Sequence, residues 1–198
     1  MSFCFYEEGV IIIRDKYYFL LISSLFPIVN LLIGILDENF LVNVINSNWM
    51  IKEFIRLSFA AVAEELFFRG LLQNELLLWI DRKIVVILGI NVLFGLLHFL
   101  NVFSYANVSY VLVQVFCAFC VGMTLSAIYL RTRRLIISVI IHSLINVISA
   151  FRTCSEVTST LNTFESIVYV AVACVYLVVA LKMIRENDLM EASDEVLY

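Results

Sequence analysis

Residues 64–70 read Glu-Glu-Leu-Phe-Phe-Arg-Gly and sit inside a long apolar stretch. A charge near the middle of a bilayer costs roughly 2.5–3.5 kcal/mol on insertion scales, so ionisable groups kept there mark a functional site by default. Spacing separates the three charges. Glu65 and Arg69 are four residues apart, so on a helix they share a face and can pair. Glu64 lies about 100° around from its neighbour and has no same-helix partner at that spacing. It is expected to look across a bundle, towards a histidine or a water. A carboxylate so placed is poised to take a proton from water, which is the work of a general base.

The chain has two histidines, and both fall in apolar runs. His98 closes Phe94-Gly-Leu-Leu-His98, and His142 opens His142-Ser-Leu-Ile-Asn146. The i,i+4 spacing puts Phe94 and His98 on one helix face, and His142 and Asn146 on another. A Glu and a His together can hold and deprotonate one water. A His and an Asn on one face can donate two hydrogen bonds to a developing negative charge, worth up to about 2.7–4 kcal/mol per donor. Gln73 and Asn74 read as interfacial residues, and Gln114 as an interhelical hydrogen-bond partner.

The elements that must position these groups are membrane helices. Of 198 residues, 63% are hydrophobic, 15% are charged and one is proline. A soluble domain averages roughly 45–50% apolar and about 25% charged. The expected fold is therefore all-α: one polytopic, membrane-embedded bundle over 1–198, multi-pass in the cell membrane. Six stretches suit a span of about 20 apolar residues. They are 17–36, 54–80 (interrupted by the charged cluster), 84–103, 108–130, 135–151 and 164–183.

Basic residues alternate between the connections. Arg14, Lys16, Arg82, Lys83, Arg131, Arg133, Arg134, Lys182 and Arg185 fall on one side, against Lys52 and Arg152 on the other. Basic loops stay in the cytoplasm, so both termini are expected there. An odd number of spans would break the pattern. Glu186, Asp188, Glu191, Asp194 and Glu195 make 186–198 an acidic stretch, expected to be a flexible, solvated tail. No basic patch suggests nucleic acid. Cys117-Ala-Phe-Cys120 has CxxC spacing, but in an apolar run it reads as two buried, inert thiols. The N-terminal residues, with Glu7 and Glu8, do not look like a cleavable signal.

The ordered set Glu64-Glu65-Leu-Phe-Phe-Arg69, Phe94-Gly-Leu-Leu-His98 and His142-Ser-Leu-Ile-Asn146 resembles the EExxxR, FxxxH and HxxxN signatures of the CAAX protease and bacteriocin-processing (Abi) family. The resemblance covers about 58–150. It implies a metal-independent, cofactor-free intramembrane endopeptidase acting on a peptide or membrane-protein substrate in the lipid bilayer. Carried over by motif position, Glu64 and His98 would activate the attacking water, and His142 and Asn146 would stabilise the oxyanion. Glu65, Arg69 and Phe94 would shape the site and position the substrate. The chain is short, has no evident extra-membrane domain, and ends in Glu195-Val-Leu-Tyr198, which is not a CAAX box. The small size suggests the bacteriocin-associated branch, with peptide maturation or self-immunity as the expected role.

Other readings remain open at this level. Two His and a Glu match a catalytic zinc ligand set, although no HExxH is present. A non-proteolytic immunity or scaffold protein could use the same cluster to bind a peptide or a membrane partner. A transporter would be expected to show paired broken helices, and the spans show no such repeat. Helix rise sets a condition on depth. Glu64 and His142 come level only if the membrane part of 54–80 ends near Leu72 and 73–80 lies in the interface.

Overall fold

The computed structural model describes residues 47–103, 107–153 and 163–196, together with the single helical positions Leu25, Ile28, Val29 and Leu32. The described residues contain helix and no strand. Helix α1 (Ser47–Glu65) passes without a break into a π-helical stretch, Leu66–Gln73, and then into α2 (Asn74–Trp79). Helix α3 (Lys83–Leu97) tightens into a 3-10 segment, His98–Phe103. Helices α4 (Val108–Thr132), α5 (Leu135–Thr153) and α6 (Thr163–Val196) follow.

Helix α4 is the centre of the bundle. Every residue from Cys120 to Leu130 is buried. Asn107 starts it by accepting from the backbone N–H groups of Ser109 and Tyr110, which satisfies two of the donors a helix start leaves open. Arg133 ends it in the left-handed conformation, at φ 52°, with its N–H donating to the Tyr129 carbonyl. A helix buried all round belongs inside the protein, whereas its neighbours keep one apolar face outward. Helices α3 and α6 pack on α4, and α1 packs on α5. On α3 and α6, Leu96, Ile167 and Val178 stay exposed. Apolar surface on this scale suits a molecule surrounded by lipid.

Among the described residues, three helical segments are long and apolar enough to cross a membrane: Lys83–Phe103, Val108–Thr132 and Thr163–Asp188. They coincide with the third, fourth and sixth expected spans. The apolar part of α5, Leu135–Ser149, is shorter than a full span. The second expected span forms one continuous rod, 47–79, that carries the charged cluster. Most of 17–36 lies outside the described residues, so the six-span count and the placement of the termini do too. Leu25 and Val29 pack against the core, while Ile28 and Leu32 are exposed, as one face of a helix requires.

The acidic stretch does not begin as a free end. Helix α6 continues through it to Val196. Glu186 accepts from Arg131 at 3.0 Å, and Asp188 lies 3.7 Å from Lys83. The start of α3, the end of α4 and the far part of α6 therefore meet at one end of the bundle. This is the grouping that the basic residues implied.

Candidate active site

The rod carrying Glu64 and Glu65 changes its winding directly after them. Residues Leu66–Gln73 bond i to i+5 rather than i to i+4, a rare geometry that tends to occur at functional sites. Asn74 closes the stretch. Its backbone N–H donates to the Leu71 carbonyl, and its side chain takes up the Gly70 carbonyl at 2.8 Å. The same amide nitrogen donates to the Tyr129 hydroxyl on α4, also at 2.8 Å.

Glu65, Arg69 and Gln73 recur every fourth residue, and all three are fully buried. Arg69 Nη1 lies 3.1 Å from Glu65 Oε1, so the expected i,i+4 pair is formed. Arg69 Nη2 donates to Asn91 Oδ1 on α3 at 3.1 Å and to the Gly122 carbonyl on α4 at 2.9 Å. Its guanidinium also stands 4.9 Å from the Phe94 ring centre, within cation–π range. Gln73 donates to the Ser126 carbonyl at 3.2 Å. Gln73 is thus buried in the protein core, because α4 covers it. Further along the rod, Leu78 and Trp79 are exposed.

Helix α5 supplies the second half of the site. His142 Nδ1 lies 2.8 Å from Glu65 Oε1. A carboxylate opposite Arg69 accepts, so Nδ1 carries the proton of this bond. The other ring nitrogen, Nε2, lies 3.6 Å from Glu64 Oε2. That separation is too long for a direct hydrogen bond and is a distance at which a shared water is the natural question. The two glutamates differ in access: the Glu64 side chain is 37% exposed and that of Glu65 is sealed. Asn146 sits one turn along α5, half-buried, with no hydrogen bond among the described residues.

His98 stands where α3 ends and the 3-10 segment begins. Its Nδ1 is 3.0 Å from the Phe94 carbonyl. A carbonyl only accepts, so Nδ1 donates, and Nε2 of the neutral ring is left as an acceptor. Phe94 ties the histidines together. Its ring centre is 4.8 Å from that of His98, 5.8 Å from that of His142 and 5.0 Å from that of Phe68, all edge-on. The three motifs therefore meet around one aromatic ring, and the histidine beside Glu64 is His142. Among the described residues no three His, Cys, Asp or Glu side chains converge as a metal-binding group.

Residues 46–148, just over half of the chain, match the family model of the type II CAAX prenyl endopeptidase, Rce1-like. The chain belongs to that family. As an Rce1-like protein it is a CAAX-type peptidase of the membrane, and the matched segment holds all three motifs. Comparisons with curated proteins and with solved structures gave no match.

The Rce1-like signatures did not announce Asn91, Gly122 or Ser126. One signal was available: Asn91, Phe94 and His98 are spaced i, i+3, i+7, which is a single helix face. Gly122 gives no such signal. Its role is visible only in space, where a methyl at that position would overlap the Asn91 amide and press on the Phe94 ring. Gln114 accepts from Asn101 at 3.0 Å, the interhelical role its apolar setting suggested. Cys117 and Cys120 are buried free thiols, and Cys117 Sγ donates to the Tyr169 carbonyl on α6 at 3.8 Å.

Proposed function

We propose that the chain is a metal-independent intramembrane endopeptidase in which Glu64 is the general base. The observation that carries this reading is the Glu64–His142 pair. A partly exposed glutamate turns its buried Oε2, at 3.6 Å, towards an imidazole whose far nitrogen is fixed by the sealed Glu65. In this scheme Glu64, helped by the free Nε2 of His98, takes a proton from the attacking water. The water oxygen adds to the scissile carbonyl, and the proton later passes to the leaving amine. His142 and Asn146 donate to the oxyanion of the tetrahedral intermediate.

An oxyanion donor needs a proton on His142 Nε2. Since Nδ1–H is already given to Glu65, the ring then carries both protons, and the flanking carboxylates offset its charge. The half-buried Asn146 amide, without a partner of its own among the described residues, is available as the second donor. Phe94 keeps the two histidines at a fixed separation, and Arg69 holds Glu65 in place.

The substrate is a peptide, free or membrane-anchored, and maturation or self-immunity towards a bacteriocin is the role proposed for it. Purified protein in detergent should cleave quenched fluorescent peptides. Glu64→Ala should lower kcat by about 10²–10⁴-fold, the usual weight of acid–base catalysis. His142→Ala and Asn146→Ala should each cost about 10²–10³-fold, as for loss of one oxyanion donor. Undiminished cleavage by Glu64→Ala would overturn the mechanism. Immunity of cells that survives the same substitution would favour a non-proteolytic binding role.

A further inference from the structure

We propose that Asn91 is a positioning residue for the hydrolytic site: together with the Gly122 carbonyl it fixes Arg69, and through Glu65 it sets the hydrogen bond made by His142. For its catalytic consequence the inference rests on the Glu64–His142 reading above, but its structural content can be tested separately.

The contacts form one unbroken series. Asn91 Nδ2 donates to the Ile87 carbonyl at 2.8 Å and to Ser126 Oγ at 2.9 Å. The Ile87 carbonyl can only accept, so the amide orientation is determined and Oδ1 must face Arg69. Arg69 Nε and Nη1 have no hydrogen-bond partner among the described residues, which leaves Asn91 Oδ1 and the Gly122 carbonyl as the two acceptors that hold the guanidinium. Arg69 Nη1 then meets Glu65 Oε1, the same oxygen that receives His142 Nδ1. Glu65, Arg69, Asn91 and Ser126 are all fully buried, and His142 is 3% exposed. In such a setting each bond polarises the next, and a missing partner is not replaced by solvent.

Sharing Glu65 Oε1 turns a remote contact into a local one. Without Asn91, Arg69 loses one of its two hydrogen-bond acceptors and leans further on Glu65. The bond from His142 Nδ1 to that oxygen then weakens, and the ring is freer to turn away from Glu64. Gly122 belongs to the same arrangement, because only a residue without a side chain lets Asn91 and Phe94 come this close to α4.

The chain's two histidines make the test direct. Full-length protein with ¹⁵N-labelled imidazoles, in lipid nanodiscs, gives two ring signatures, assigned with His98→Ala. Asn91→Leu should move the His142 Nδ1 resonance towards a weaker hydrogen bond and leave His98 Nδ1 in place. It should lower kcat about tenfold or more with KM within about twofold, as loss of a positioning contact does. Added to Glu65→Gln, it should cost nothing further. Thr124→Val is the control: Thr124 is equally buried and donates to the Tyr176 carbonyl on α6, away from the site. It should lower thermal stability without moving His142 or kcat.

An unmoved His142 resonance in Asn91→Leu, or an equal movement in Thr124→Val, overturns the proposal. If Asn91→Leu does not fold, Asn91→Ser is read in the same way. Wild-type cleavage by Glu64→Ala would remove the catalytic reading, and the resonance would still decide whether Asn91 positions His142.

Discussion

Arg69 carries more of the site than its place in the EExxxR motif suggests. One planar guanidinium meets a carboxylate, an amide oxygen, a helix carbonyl and the Phe94 ring while fully buried. Lysine has the charge without the fork, so it cannot span the acceptors on α3 and α4 and still reach Glu65. Arg69→Ala should cost about 3–5 kcal/mol, because it leaves Glu65 buried without its cation. Arg69→Lys should fall between the two proteins. Thermal unfolding in detergent measures both, and a variant as stable as wild type would show that the pair is not structural. At this scale much of the site was legible. The spacing of Glu65 and Arg69 predicted their pairing, and the lack of a partner for Glu64 predicted a cross-bundle one. Asn91 and Gln73 were harder to read. A lone polar residue in an apolar helix looks the same in sequence whether it faces a headgroup or a buried arginine.

The elements explain how three short motifs on separate helices reach one point. The α1 rod widens into its π stretch directly after the glutamates, α3 tightens into a 3-10 turn at His98, and α4 offers a glycine between them. Hydropathy located α3, α4 and α6 well because each is a long apolar run. It carried no trace of the π or 3-10 segments, which differ only in which carbonyl each N–H selects. Nor did it show that α4 covers Gln73, whose side chain donates to the Ser126 carbonyl. Gly122 provides the test at this scale. Gly122→Ala places a methyl against the Asn91 side chain and the Phe94 ring, so that either the Asn91 amide leaves its place or the helix moves off α3. Overpacking of this kind costs about 1–3 kcal/mol. Gly89→Ala on α3, where a methyl meets nothing within 4 Å, is its counterpart and should lower neither stability nor cleavage. Equal effects of the two substitutions would argue against close α3–α4 approach as the cause.

At the scale of the molecule, the bundle has one end that is tied and charged. Lys83 faces Asp188, Arg131 donates to Glu186, and Arg133 and Arg134 are exposed in the short turn from α4 to α5. The clustering of basic residues foretold which connections share this end. The pairing with α6 was hidden, because an acidic chain end reads as solvated until something basic is found beside it. Helix α4 fixes the geometry of the whole. Its 25 residues rise about 37 Å, more than the roughly 30 Å of hydrocarbon, so it is long enough to put its two ends on opposite sides of the bilayer. By the basic-loop rule the Arg133–Arg134 turn is expected in the cytoplasm. In a background with the native cysteines replaced by serine, Arg134→Cys in inverted vesicles should react with a membrane-impermeant maleimide, and Val108→Cys should not. In intact cells or spheroplasts the order should reverse. Labelling of both positions from one side would mean that α4 does not span. A clean reversal of the predicted sides would keep the fold and turn the tied end outward, taking with it the side from which a substrate approaches Glu64.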